Sequence, residues 1–179
     1  MFMNTQDQYG LIARLLHWLV FVLVMGMLMG GALLSFLPAG GLKAVVVGAH
    51  KSVGVLILLM MIGRLLWRRF NPQPVDLGEI QVLNYLAHVL HVCLYTLLFL
   101  QPLSGIFMSQ AHGYPVAFFG LFTLPPFVWT SPALGSFFGD VHGVTAGVLM
   151  VGIAIHAAAA LKHHFIDRDR TLMRMVKGR

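Results

Sequence analysis

The stretch HGVTAGVLMVGIAIH, residues 142–156, decides the fold of this chain. It contains no Asp, Glu, Lys or Arg, and a histidine stands at each end. Because an α-helix advances about 1.5 Å and about 100° per residue, the two histidines fall within about 40° of one face and roughly 21 Å apart along the axis. Ionisable side chains inside apolar helices are costly and by default mark function. The stretch therefore predicts a membrane span that offers two ligands at two depths.

The composition of the whole chain is typical of a membrane protein. Of its 179 residues, 58% are hydrophobic and 10% are charged, whereas soluble domains are about 25% charged. The net charge of +6 does not indicate nucleic-acid binding, because the basic residues lie in short runs beside apolar stretches. The single cysteine, Cys93, excludes a disulfide framework and the cysteine spacings of zinc, iron–sulfur and covalent haem sites.

Four apolar stretches reach the length of about 20 residues that a span requires. They are residues 11–34, 44–67, 82–108 and 140–164. The first is longer than the apolar part of a signal peptide, so we expect it to be a membrane anchor. We predict one domain over residues 1–179, an all-α membrane protein with a bundle of four transmembrane helices.

The connection between the third and fourth stretches, residues 112–139, is apolar and has no Lys or Arg. Its four prolines interrupt every run that is long enough to span a membrane. We predict that it caps one end of the bundle. A polar segment, residues 68–79, forms a turn between the second and third stretches.

Positive charges predict the orientation. Lys43 and Lys51 lie at the end that carries the capping connection. The other ten basic residues lie at the end of the termini: Arg14, Arg64, Arg68, Arg69, Lys162, Arg168, Arg170, Arg174, Lys177 and Arg179. By the positive-inside rule, both termini are cytoplasmic.

Four histidines form two pairs at matching depth. His17 on the first span matches His156, and His50 on the second span matches His142. Two imidazoles fill both axial positions of a haem iron, which favours electron transfer over oxygen binding. Zinc and di-iron sites need Asp, Glu or Cys at these depths, and the sequence has none there. The sequence therefore predicts two haem b groups that are held by these pairs.

Neighbours of these histidines have two interpretations. Arg14 and Lys51 can bind haem propionates or extend to the membrane surface. Glycines near the ligands can leave room for flat rings or serve helix packing: Gly48, Gly54, Gly143 and Gly147.

The other histidines lie mainly on the side of the termini. His88, His91, His163 and His164 gather where a quinone headgroup can be bound and protonated, or they anchor helix ends. His91 is the substitute ligand if His17 does not bind haem. His112 is expected to be a loop residue.

Several motifs together resemble the bacterial cytochrome b561 family. They are RLLHWL (14–19), AHKSVG (49–54), AHVLH (87–91), FGLFTLP (119–125), VHG (141–143) and HAAAALKHH (156–164). The resemblance implies a di-haem cytochrome of the bacterial inner membrane, similar to stand-alone members that oxidise superoxide and reduce ubiquinone. It implies that His17 and His156 hold the cytoplasmic-side haem, that His50 and His142 hold the periplasmic-side haem, and that His163 lies at the quinone.

The sequence departs from the family pattern in two places. Residues 74–78 read PVDLG where a member of the family has lysines, and residues 113–116 read GYPV where that member has a stretch with a Trp. We therefore expect the quinone contacts and the outer end of the electron path to differ from those of the family.

The sequence is compatible with three functions. In the first, Lys43 and Lys51 attract superoxide, whose electrons reduce ubiquinone with protons from His163. In the second, the chain is a cytochrome b subunit that passes electrons from a partner dehydrogenase or hydrogenase to quinone. In the third, it is a haem-free scaffold or channel.

Overall fold

Four long α-helices form the bundle. A computed structural model describes residues 1–78 and 80–178. The long helices are α1 (Leu11–Leu34), α2 (Gly41–Phe70), α3 (Gln81–Ala111) and α4 (Pro132–Phe165). Each of the four is long and apolar enough to cross a membrane, which confirms the predicted four-helix membrane bundle. Glu79 and Arg179, which the predicted turn and the charge count include, lie outside the described residues.

The fourth helix begins earlier than the sequence indicates. It starts at Pro132 rather than near Asp140. Proline is tolerated in a first helical turn, because the N–H groups there have no helical partner. The Ser131 hydroxyl accepts a hydrogen bond from the Leu134 N–H at 3.4 Å and caps the helix. The capping connection is therefore confined to residues 112–131.

Two smaller elements lie at opposite ends of the bundle. Within the capping connection, β1 (Ala117–Phe118) pairs with β2 (Phe122–Thr123) as an antiparallel hairpin. A short helix, α5 (Thr171–Val176), follows α4 near the C-terminus. The end with both termini, residues 1–10, 71–78 and 166–178, is called the terminal face below. The opposite end, residues 35–40 and 112–131, is called the hairpin face.

The central core joins all four long helices halfway between the two faces. Its six buried members are all apolar: Val20, Val24, Ile57, Met61, Leu94 and Leu149. Leu149 lies midway between His142 and His156 on α4. The core therefore separates the two levels at which the histidines lie.

Hydrogen bonds to backbone carbonyls hold the terminal face together. The Asn4 side-chain amide donates to the Pro72 carbonyl at 3.0 Å, and the Val75 N–H donates to the Gln6 carbonyl at 2.8 Å. The N-terminal segment therefore packs against the connection between α2 and α3.

A serine of α2 fastens the hairpin. The Ser52 hydroxyl donates to the Ala117 carbonyl at 3.0 Å and accepts from the Phe119 N–H at 3.0 Å. Phe119 and Gly120 at the tip have φ of 49° and 73°, a left-handed conformation that glycine adopts readily and phenylalanine seldom. The hairpin is thus fixed over the start of α2, near His50.

Candidate functional site

Two histidine pairs meet across the bundle, one near each face. The ring centroids of His17 and His156 lie 6.2 Å apart. Those of His50 and His142 lie 6.3 Å apart. In each pair α4 supplies one ring, and α1 or α2 supplies the other. The helices therefore bring together the two pairs that the sequence suggests.

Both separations suit two imidazoles on one metal. A metal–imidazole bond is about 2.0 Å long and the centroid lies about 1.1 Å behind the bonding nitrogen, so two rings on opposite sides of one iron have centroids roughly 6 Å apart. Two axial imidazoles are the ligand set of electron-transfer haem. The residues present therefore fit haem iron at both levels.

Open space at several glycines also fits a flat macrocycle. A Cβ atom added at Gly48, Gly143 or Gly147 would meet no atom within 4 Å, whereas one at Gly54 would lie 3.8 Å from Met27 Cε. A groove of about 280 Å³ opens beside His50. Its lining is Val22, Leu23, Gly26, Met27, Gly30, Val46, Ala49, His50 and Val53. The groove is apolar, as the face of a porphyrin is.

A third imidazole lies at the terminal-side level. The His91 centroid is 5.1 Å from that of His156, and His91 Nδ1 donates to the Ala87 carbonyl at 2.6 Å. The 5.1 Å separation is shorter than opposed ligands of one metal require. The geometry therefore favours His17 over His91 as the partner of His156.

Gln101 contacts both ring nitrogens of His142. The Gln101 carbonyl accepts a hydrogen bond from His142 Nδ1 at 2.9 Å. Because a carbonyl can only accept, the ring proton lies on Nδ1, and Nε2 keeps its lone pair. The side-chain amide nitrogen of Gln101 lies 3.2 Å from His142 Nε2. The Thr145 hydroxyl donates to the side-chain oxygen of Gln101, Oε1. His142 thus has the tautomer that a metal ligand needs.

An arginine contacts His17 instead. Arg64 Nη2 donates to His17 Nδ1 at 2.9 Å, and the guanidinium lies 5.4 Å from the Tyr95 ring centroid. Since a guanidinium only donates, Nδ1 of His17 accepts and the ring proton lies on Nε2. Ligation through Nε2 requires loss of that proton or of the Arg64 hydrogen bond.

Sequence reasoning did not assign Gln101 or Arg64 to the site. Arg64 is the one charged residue in the apolar run 52–67, which is a signal for function inside a span. Gln101 precedes Pro102, the proline inside α3. Both signals are present in the sequence, but neither shows which way the side chain points.

His163 is paired with aspartates at the terminal face. Its Nδ1 lies 2.6 Å from Asp169 Oδ2 and 3.3 Å from Asp167 Oδ2. Asp167 also accepts from Lys162 at 2.6 Å. Burial would raise the pKa of Asp169, but hydrogen bonds from Thr171 and His163 outweigh burial and hold that pKa below its ordinary value. Asp169 is thus a carboxylate that can orient His163.

The other predicted quinone contacts have separate partners. His88 Nε2 lies 2.9 Å from Asp76 Oδ2, and both side chains are at least half exposed. His164 packs edge-on against Phe165. Arg14 Nη2 donates to the Val176 carbonyl of α5 at 2.8 Å. In the described part of the chain, no hydrogen bond joins these residues to His163.

The two lysines of the hairpin side are bound to backbone carbonyls. Lys43 Nζ donates to Leu37 O at 3.0 Å. Lys51 Nζ donates to Pro115 O at 3.1 Å and lies 5.6 Å from the Tyr114 ring centroid. Their charges are therefore held at this end of the bundle. His112, at the C-terminal end of α3, donates from Nδ1 to the Met108 carbonyl at 2.8 Å.

Sequence comparison identifies the family. The sequence profile described as prokaryotic cytochrome b561 matches residues 8–178. The chain belongs to the prokaryotic cytochrome b561 family. A relative, cytochrome b561 homolog 2 of Escherichia coli (strain K12), is 37% identical over 179 residues, which cover 98% of this chain and 94% of the relative.

Two further relatives match most of this cytochrome b561. Cytochrome b561 homolog 1 of Escherichia coli (strain K12) is 28% identical, with 92% of this chain and 94% of the relative covered. The probable superoxide oxidase CybB of Yersinia pestis is 31% identical, with 90% of this chain and 91% of the relative covered.

Family membership fixes the general function. A bacterial cytochrome b561 is a membrane electron-transfer protein of the inner membrane, and the family implies haem b. The histidine pairs described above fit that cofactor. Electron transfer is therefore favoured over the haem-free scaffold or channel.

Proposed function

We propose that this cytochrome b561 oxidises superoxide at the hairpin face and reduces ubiquinone near the terminal face. Two superoxide ions each lose one electron and leave as O₂. The two electrons and two protons convert one ubiquinone to ubiquinol. The similarity to a probable superoxide oxidase supports the choice of donor.

The observation that carries this proposal is the repeated histidine geometry. Two pairs with centroid separations of 6.2 Å and 6.3 Å lie on opposite sides of one apolar core. We propose that His50 and His142 hold one haem b and that His17 and His156 hold the other. When bound, haem b supplies a one-electron redox centre at each level.

The hairpin face is proposed to attract the anionic donor. Lys43 and Lys51 place two positive charges at this end, and both ammonium groups are fixed by carbonyls. Positive charge at a site raises the local concentration of small anions and their rate of association. These lysines therefore steer superoxide and do not take part in electron transfer.

The terminal face is proposed to bind ubiquinone and supply its protons. Asp169 accepts a hydrogen bond from Nδ1 of His163 at 2.6 Å. When the ring is protonated on both nitrogens, its Nε2–H can donate to a quinone carbonyl. We propose His163 as the proton donor, with His88, His91 and His164 as further contacts at this end. The excess of Lys and Arg on this side supports a cytoplasmic terminal face.

A spectrum of the purified protein tests the proposal. Anaerobic protein, without any partner, should show the reduced bands of b-type haem after addition of superoxide. A soluble ubiquinone analogue should then reoxidise them. Protein that dithionite reduces but superoxide does not would contradict a superoxide oxidase.

Reduction by dithionite but not by superoxide would favour the alternative of a cytochrome b subunit that depends on a partner. Leu121 and Trp129 of the hairpin face are 77% and 74% exposed, and exposed apolar side chains of this size suit a partner surface. A chain of this kind would be reduced by its dehydrogenase or hydrogenase and would reduce quinone in the same way.

A further inference from the structure

Arginines from three helices lie at the terminal face. Arg14 lies in the first turn of α1, Arg68 lies in the last turn of α2, and Arg174 lies on α5. Three of the four aspartates that the structure describes at this face pair with other residues: Asp76 with His88, Asp167 with Lys162 and Asp169 with His163. The fourth, Asp7, is exposed. Across residues 1–78 and 80–178, none of the three arginines forms an ion pair with Asp or Glu.

Arg174 is the buried member of this group. It is 5% exposed, and its Nη1 donates to the Val75 carbonyl at 2.7 Å. Its Nε is buried and has no hydrogen-bond partner, and the same holds for Nε of Arg14. A buried donor without a partner is costly, and a buried charge without a counter-charge is more so. An anion at this position would remove both costs.

The charges of Arg68 and Arg174 also act on the phenol of Tyr9. Burial raises the pKa of Tyr9, although the charges of Arg68, Arg174 and Arg64 act in the opposite direction. The phenol therefore keeps its proton although positive charges act on it. A neutral hydroxyl there is a hydrogen-bond donor for an anion.

The cluster lies at the level of the membrane surface. Trp18 Nε1 donates to the Met175 carbonyl of α5 at 3.0 Å, and Trp18 is 37% exposed. Tryptophan at a helix end is typical of the interface between lipid and water. Leu15 and Phe70 nearby are 59% and 77% exposed, so acyl chains have apolar surface to cover. Arg64 lies one turn deeper on α2, beside His17.

We propose that Arg14, Arg68, Arg174 and Tyr9 bind the phosphate of an anionic phospholipid headgroup. Guanidinium groups bind phosphate through paired charge-assisted hydrogen bonds, and basic pockets between membrane helices bind such headgroups. The bound lipid fastens α5 across the end of the bundle, because α5 supplies the buried arginine. The site does not depend on which substrates the haem groups serve.

Thermal unfolding of delipidated protein tests the site. Tryptophan fluorescence follows unfolding in detergent with added phosphatidylglycerol, phosphatidylcholine or inorganic phosphate. Phosphatidylglycerol should raise the unfolding midpoint by about 4 °C, because a ligand that binds only the folded state stabilises it. Phosphatidylcholine should raise it much less.

Single charge removals locate the effect. Arg174→Gln and Arg68→Gln should each weaken phosphatidylglycerol binding by at least about tenfold. Arg69→Gln is the matched control, since Arg69 is exposed, neighbours Arg68 and loses the same charge. If Arg174→Gln does not fold, the exposed Arg68 still provides the test.

Three results would overturn the proposal. Equal stabilisation by phosphatidylcholine would show that charge is not recognised. Equal stabilisation by inorganic phosphate would assign the cluster to a free anion. A response lost together with haem, in protein from haem-starved cells, would assign these arginines to haem carboxylates.

Discussion

The two histidine pairs have nearly the same separation but differ in their hydrogen-bond neighbours, because one neighbour accepts a hydrogen bond and the other donates one. Their centroid separations differ by 0.1 Å, from 6.2 Å to 6.3 Å. At the hairpin side, His142 Nδ1 donates a hydrogen bond to the Gln101 carbonyl. At the terminal side, His17 Nδ1 accepts from Arg64. Helix packing sets the spacing, whereas single side chains set the charge beside each ring.

This difference predicts different redox potentials at the two levels. A carbonyl that accepts the Nδ1 proton makes the imidazole more basic, which favours oxidised iron. A nearby guanidinium favours the reduced state, because its positive charge is attracted to the added electron. The proposed haem on the terminal side should therefore have the higher redox potential. Electron transfer from the hairpin side to the terminal side should then be energetically favourable.

The strongest test of the pairs is removal of one ligand from each. His142→Leu and His156→Leu should each lose one haem, so that the reduced-minus-oxidised absorbance falls by about half, because an axial bond is lost. Pyridine haemochrome analysis of purified protein measures the content. His112→Leu is the control and should keep both groups. Full absorbance in either ligand variant would refute the pairing.

The terminal face can be separated from the hairpin face through Asp169. Asp169→Asn should slow quinone reduction by about tenfold, because His163 loses the carboxylate that orients it. The rate at which superoxide reduces the haem groups, measured in a stopped-flow spectrometer, should stay unchanged. Asp167→Asn is the matched control and should have a smaller effect.

Because the pKa of Asp169 is lowered, the stability that the Asp169–His163 contact contributes depends on pH. A depressed carboxyl pKa means that the contact stabilises the folded state at neutral pH and loses that contribution as the pH falls. The loss begins near the ordinary carboxyl value of about 3.9. A contribution that grew on acidification would contradict the assignment.

Removal of the Arg64 charge should reduce the difference in redox potential between the two proposed haem groups. Arg64→Gln should lower the potential of the terminal-side haem by about 60 mV, a tenfold change in its reduction equilibrium. Redox titration resolves the two centres, so the hairpin-side haem serves as the internal control. In Arg64→Lys, which keeps the positive charge, the redox potential of the terminal-side haem should stay close to that of the unmodified protein. An equal shift of both centres would argue against a local effect.

The smallest expected effect concerns anion steering at the hairpin face. Lys51→Glu should slow superoxide consumption about threefold at low salt, and the difference should vanish at high salt. Lys177→Glu makes the same charge change at the terminal face and should leave the rate unaltered. A rate that does not depend on salt in the unmodified protein would count against steering.

The sequence predicts helices well where one physical signal acts alone. Residues 11–34 form α1 with the bounds that the apolar run indicates. The start of α4 predicted near Asp140 is wrong, because Pro132 begins the helix, as proline can in a first helical turn, and does not interrupt it. The composition of the connection could not distinguish these two roles.

The partners of the histidines were beyond the sequence for a different reason. Depth along a span follows from residue number, so His17 could be matched with His156. The direction of Arg64 or Gln101 depends on helix rotation, and a span that is apolar all round has no polar face to indicate rotation. Asp169 reaches His163 because the chain reverses after α4, which local propensity does not show.

The apolar core between the two levels has a consequence for bioenergetics. Met61 and Leu149 are 0% and 1% exposed, and every member of that layer lacks a group that can relay a proton. Electrons can tunnel through such an apolar layer, whereas its six buried side chains offer protons no path. Each turnover would then move net charge through the insulating layer, so that the proposed reaction adds to the membrane voltage.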